Sequence, residues 1–115
     1  LPDRRTDLHV RAVRDLVADL ETTLPTLLDR DNDTALHFWF STFDGHRAAL
    51  FPALPTAYDA WRRDGNAQAL RAAVERGRDH FARVADELLA MHRARGDDAP
   101  PAIAALLSSE RAVCA

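Results

Sequence analysis

The stretch Asn66–Arg95, NAQALRAAVERGRDHFARVADELLAMHRAR, decides the fold. Asp64-Gly65-Asn66 before it reads as a turn carrying an N-cap candidate, and Arg95-Gly96-Asp97 supplies the opposite end. Between them Leu70, Val74, Gly77, Phe81, Val84, Leu88 and Met91 recur at alternating spacings of four and three. That spacing predicts one unbroken seam along a helix about 45 Å long at 1.5 Å per residue. Gly77 falls on the seam, where its cost in helix propensity is tolerable if a partner side chain packs over it.

The neighbouring segments carry the same period. Val10, Val13, Val17, Leu20, Leu24 and Leu27 make a stripe from about Asp7 to Arg30, and Pro25 is expected to kink it. Asp31-Asn32-Asp33 reads as a turn with Asp33 as N-cap. Leu36, Phe40, Phe43, Leu50, Leu54 and Trp61 continue a helical face to Arg63. Gly45, Pro52 and Pro55 interrupt it, so two helices meeting near residues 44–55 are expected. A last helix is expected after Pro100-Pro101, carrying Ile103, Leu106 and Leu107. With short connections between segments, the prediction is an all-α antiparallel bundle of four to five helices, one domain over residues 1–115.

Composition agrees. The 115 residues hold 22 Ala and 15 Leu against six Val and one Ile, a bias to helix over strand. With 47% apolar residues and a net charge of −3, the chain has the means to build a core, and it lacks the dense basic face of a nucleic-acid module. No run approaches the length of a membrane span, and Leu1-Pro2-Asp3-Arg4-Arg5 has no secretory apolar stretch, although the missing Met suggests a processing boundary. One cysteine, Cys114, excludes an internal disulfide and fits a reducing compartment, so a cytoplasmic location is expected. All fifteen basic residues are Arg, which with the Ala content points to a GC-rich bacterial source.

Chemistry, if present, lies with the histidines: His9, His37, His46, His80 and His92. Folding the second long segment onto the third about residue 64 sets His37 opposite His92 and His46 near His80. Asp33 and His37 are four apart on one helix, a spacing that lets both face one point. Two candidate clusters follow: Asp33, His37 and His92 at one end, and His46 with His80 and Glu87 in the middle. The plainer readings are that Asp33 caps a helix, that His80 is a hydrogen-bonded boundary histidine, and that His9 and His92 face solvent. Cys114 has no evident base beside it and the four glycines are isolated, so no residue set calls for an enzyme.

Seven of the eight aromatics, Phe38, Trp39, Phe40, Phe43, Phe51, Tyr58 and Trp61, fall within 24 residues. Successive helical residues turn by about 100°, so Phe38-Trp39-Phe40 cannot all face one core. With Phe40 and Phe43 inward, Phe38 or Trp39 must reach a pocket, a dimer interface or the final helix.

Three partial likenesses follow from these residues. Phe38-Trp39, Phe43 and Leu50-Phe51-Pro52, with Gly77-Arg78-Asp79-His80, resemble pieces of bacterial globins, which implies His80 as a haem ligand. The seam running on from His80 to Met91 departs from that pattern, since globins interrupt the chain after this histidine. Asp33-x-x-Leu36-His37 resembles the metal-binding helix of effector domains in one bacterial repressor family, which implies His80 as a further ligand. No additional histidine helix and no DNA-binding domain accompany it. Thr42-Phe43-Asp44-Gly45-His46, with Leu50-Phe51-Pro52, looks like the second helix of hemerythrin-type bundles, but Thr42 and His46 stand where His and Glu belong. The likenesses point to three families, and membership is claimed in none.

The functional expectation is a binding or interaction module that takes a small apolar ligand or a protein partner. Its face would hold Trp39, Phe43, His46, Phe51 and His80, between the second and third long segments. Two alternatives accompany it. One is haem or a divalent metal held by His80 with His46 or His37, the metal set being Asp33, His37, His80 and His92. The other is a structural or regulatory homodimer.

Overall fold

The computed structural model describes residues 4–115, and the readings that touch Leu1, Pro2 and Asp3 lie outside them. Seven α-helices follow one another: α1 Arg4–Ala18, α2 Leu24–Asp29, α3 Asp33–Ser41, α4 Gly45–Leu50, α5 Ala53–Asp64, α6 Ala67–Arg95 and α7 Ala99–Leu107. No strand occurs among the described residues, and the all-α bundle is as predicted.

α6 is the spine, roughly 44 Å long at the standard helical rise. The Asn66 side chain accepts from the Gln68 N–H at 2.9 Å, and Gly65 (φ 71°) takes the left-handed turn that folds α5 back on α6. Leu70, Val74, Gly77, Phe81, Val84 and Leu88 are all buried, as the spacing predicts, and Met91 is partly so. α1, α2, α5 and α7 pack around this helix, giving a molecule 48 × 21 × 21 Å.

Gly77 has a packing reason. A Cβ there would run into Cε2 and Cζ of Phe51 and come within 3.3 Å of Leu20 Cδ1. Phe51 is fully buried, so the ring of the α4–α5 junction occupies the space a side chain would have taken on α6.

The interruption at Pro25 takes the form of a π turn, Asp19–Thr23, in which the Leu24 N–H reaches back five residues to Asp19 O. Proline brings no N–H to the next position, and the extra residue absorbs that missing donor. The first stripe is shifted slightly: Leu16 and Leu28 are buried where Val17 and Leu27, assigned inward by the sequence reading, are only partly so. Three further corrections apply. Asn32, not Asp33, caps α3, its side chain accepting from the Ala35 N–H at 3.2 Å. The second long segment is three helices rather than two, broken at residues 42–44 and 51–52. α7 starts at Ala99, because its two prolines sit in the first turn, where no N–H is needed.

Candidate functional site

The three-piece second segment decides where the aromatic and histidine side chains go. α3 does not run on into α5, so counting residues across a straight hairpin misplaces everything before residue 52. His37 lies at the Gly65 end of α6, around a hollow of about 330 Å³ lined by Asp33, His37, Trp61, Arg62 and Gly65. His92 lines a hollow at the opposite end with Thr6, Asp7, Val10, Asp97 and Ile103, roughly 40 Å away along α6. Asp33 and His37 are therefore brought together, and His92 is not with them.

His80 and Glu87 share a third hollow with Arg83, Val84, Asp86 and Arg111, but His46 is elsewhere. His80 Nε2–H donates to the Ala112 carbonyl at 2.9 Å, and the ring meets Phe81 edge-on at 4.8 Å. A haem or metal at His80 would have to approach its other nitrogen, Nδ1. His46 instead faces His9, with ring centroids 4.0 Å apart. His9, assigned to solvent by the sequence reading, is half-buried by that contact. Among the described residues no group of three or more His, Cys, Asp or Glu is placed to hold a metal ion.

The aromatic segment divides into an inner and an outer set. Trp39, Phe43 and Phe51 are buried rather than lining a pocket mouth. Trp39 stacks on Phe43 (5.1 Å, 24°), and the Arg47 guanidinium stands 5.8 and 5.7 Å from the two ring centroids. Arg47 Nη1 also meets Asp19 Oδ2 at 3.4 Å, while Nη2 donates to Thr42 O at 2.6 Å. Burial pushes the Asp19 carboxyl above the usual carboxylate value. Arg47 opposes that rise, as do hydrogen bonds from Thr23 and Trp39, while Asp15 adds to it. This knot ties α4 to the π turn.

The outer set is His37, Phe38, Tyr58 and Trp61, with Arg62. His37 Nδ1 and the Tyr58 hydroxyl are hydrogen-bonded at 2.6 Å, and the imidazole lies 5.1 Å from the Trp61 ring. Tyr58 stacks on Phe40 at 4.0 Å on its inner side and carries Arg62 at 5.5 Å. Phe38, next along α3, is 72% exposed. The sequence required one of Phe38 and Trp39 to leave the core, and Phe38 is that residue. Trp61, read as part of the inward helical face, does pack against the core and is half-buried there. Its contact with His37, and the grouping with Tyr58 and Arg62, were missed, and the signal for them was that Tyr58 and Trp61 lie three apart on one helix face.

Residues 1–110 match the C-terminal domain of a family of unknown function, DUF6866. The chain belongs to that family. No curated protein matches it. No solved structure matches it either. None of the chain's helices, among the described residues, is long and apolar enough to cross a membrane.

Proposed function

We propose that this domain is an interaction module that pairs with a second copy of itself through the outer face of α3 and α5. The observation that carries the reading is Phe38, 72% exposed and adjacent in sequence to the His37–Tyr58–Trp61 ring cluster. Burying a phenylalanine side chain is worth roughly 1.5–3 kcal/mol, and Trp, Tyr and Arg are the residues on which interface energy concentrates. Knob and hollow stand on the same segment: Phe38 follows His37, whose ring lines the open space between Asp33 and Arg62. A two-fold axis brings each knob to the other copy's hollow, and sets Arg62 of each copy toward Asp33 of its mate.

A protein surface suits this face better than a small apolar ligand does, because the hollow is shallow and bordered by charged side chains. The reading places the domain in the cytoplasm, supported by a single cysteine, Cys114, that is buried and in no disulfide. Sedimentation equilibrium over a wide concentration range tests the pairing. The expected result is a concentration-dependent dimer, abolished by Phe38→Ser at unchanged helicity, weakened by Arg62→Glu and restored when Asp33→Arg is added. A monomer at every concentration, or a dimer indifferent to Phe38→Ser, overturns it.

A further inference from the structure

α4 is six residues long and lies against α1. The packing brings His46 of α4 onto His9 of α1, rings 4.0 Å apart and tilted by 57°, both side chains half-buried. Among the described residues, the charges that act on His9 are those of His46, from α4, and Arg5, from α1, and both oppose a proton on it. Burial first, then His46, then Arg5, hold His9 below the ordinary histidine value. The carboxyl end of α4 has a separate duty: Leu50 O accepts the Cys114 N–H at 2.8 Å, and the Cys114 side chain is 5% exposed.

We propose that His9 and His46 form an acid-sensitive latch that holds α4 on α1 and, through Leu50, controls access to Cys114. With the rings neutral, they pack on one another and α4 stays docked. A proton added to His9 puts a cation beside His46 and Arg5 in a half-buried contact that solvates it less well than open water, and moving α4 away relieves this. The other charged tie from α4, Arg47 to Asp19, weakens in the same direction, since Asp19 takes up its proton more readily than an exposed carboxylate. Once α4 moves, Leu50 O is lost to the Cys114 N–H, and the C-terminal segment loses one of its holds.

The sign follows from the lowered value of His9 in the latched form. Above about pH 6.5, where a free histidine is neutral, the latch carries no penalty. As pH falls below that, the unlatched form binds the proton first, and the open fraction grows until the latched His9 is protonated too.

The experiment is the rate at which dithiodipyridine, a reagent that works in acid, modifies Cys114 in the intact chain as pH is lowered from about 8 to about 5, the range in which histidine titrates. Relative to a small free thiol, the rate is expected to rise up to about tenfold per pH unit for each proton taken up on opening. Far-UV circular dichroism on the same samples should stay constant. His9→Gln and His46→Gln, both polar and neutral, should each flatten the acid rise. A flat profile in the unaltered protein overturns the latch. So does an acid rise that persists in both variants, or one that appears only where helicity is lost.

Discussion

Gly77→Ala separates a packing role for this glycine from a backbone one. In an exposed helix interior, replacing Gly by Ala gains about 1 kcal/mol, because Ala loses less backbone freedom. At residue 77 the new methyl meets the Phe51 ring and lies 3.3 Å from Leu20 Cδ1, and both neighbours are fully buried. Neither can swing into solvent, so the strain is that of overpacking a core, about 1–3 kcal/mol. Set against the helix gain, the net is a loss between about 0 and about 2 kcal/mol. Urea unfolding followed by circular dichroism measures it, and an unchanged m value shows that stability alone has moved. Because the clash is with one ring, Phe51→Leu should make room for the methyl, and the double variant should recover a coupling energy of about 0.5–3 kcal/mol. A Gly77→Ala protein about 1 kcal/mol more stable than the parent, with no coupling to residue 51, would refute the claim that Phe51 fills the glycine's place.

Three other outcomes are expected. Asn66→Ala removes the side-chain acceptor for the Gln68 N–H and should cost about 1 kcal/mol in the same unfolding assay, whereas Asp33→Ala at the non-capping position next to Asn32 should cost less. Arg47→Met leaves the Asp19 carboxylate beside Trp39 without its cation, so the Asp19 midpoint followed by NMR should rise further and stability should drop by about 1–3 kcal/mol; a midpoint that stays put would mean Arg47 does not act on it. Global stability should also fall with acid through His9: its lowered value in the folded state means full stability above about pH 6.5 and progressive loss below it, and His9→Gln should remove that part of the slope from thermal melts.

The sequence made α6 legible because twenty-nine residues repeat one period between a turn and a glycine, so seven positions agree on a single face. The break before α4 was less legible. Thr42-Phe43-Asp44 contains neither Gly nor Pro, and the chain turns there because Asp44 is extended and Gly45 adopts φ +59° just after it. Gly45 and Pro52 signalled one junction rather than two turns with a short helix between them, and counting residues straight across both moved His37 to the wrong end of α6 and His46 to the wrong partner. The π turn shows a similar limit: Pro25 signals that a backbone donor is absent, but whether the helix kinks, stops or inserts a residue depends on what Leu20 and Leu24 must bury against. The aromatic segment was half legible, since helical geometry forces one of three adjacent rings outward but does not choose between Phe38 and Trp39. The choice fell to Trp39's neighbours: Phe43 and Arg47, just beyond it around the α3–α4 turn, and Asp19, twenty residues earlier in the π turn.

These misses converge on α4, and the physical reason is its length. A helix of six residues closes too few internal hydrogen bonds to stand alone, so its position is set by what it touches. It touches a different element with nearly every residue that matters. His46 meets α1, Arg47 meets the π turn and Leu50 meets the C-terminal segment, while Phe51 just beyond it fills the Gly77 gap on α6. Each contact helps to fix the same short segment, so loss of one should weaken the others, and perturbations at residues as distant in sequence as 9, 19, 77 and 114 should be coupled through it. Local periodicity carries no record of such an arrangement. The outer face of α3 and α5 is different in kind: Tyr58 and Trp61 are half-buried against the core, whereas Phe38 beside them is exposed on a helix whose inner residues the core already satisfies, so its exposure is not a by-product of α4 and belongs to the surface itself.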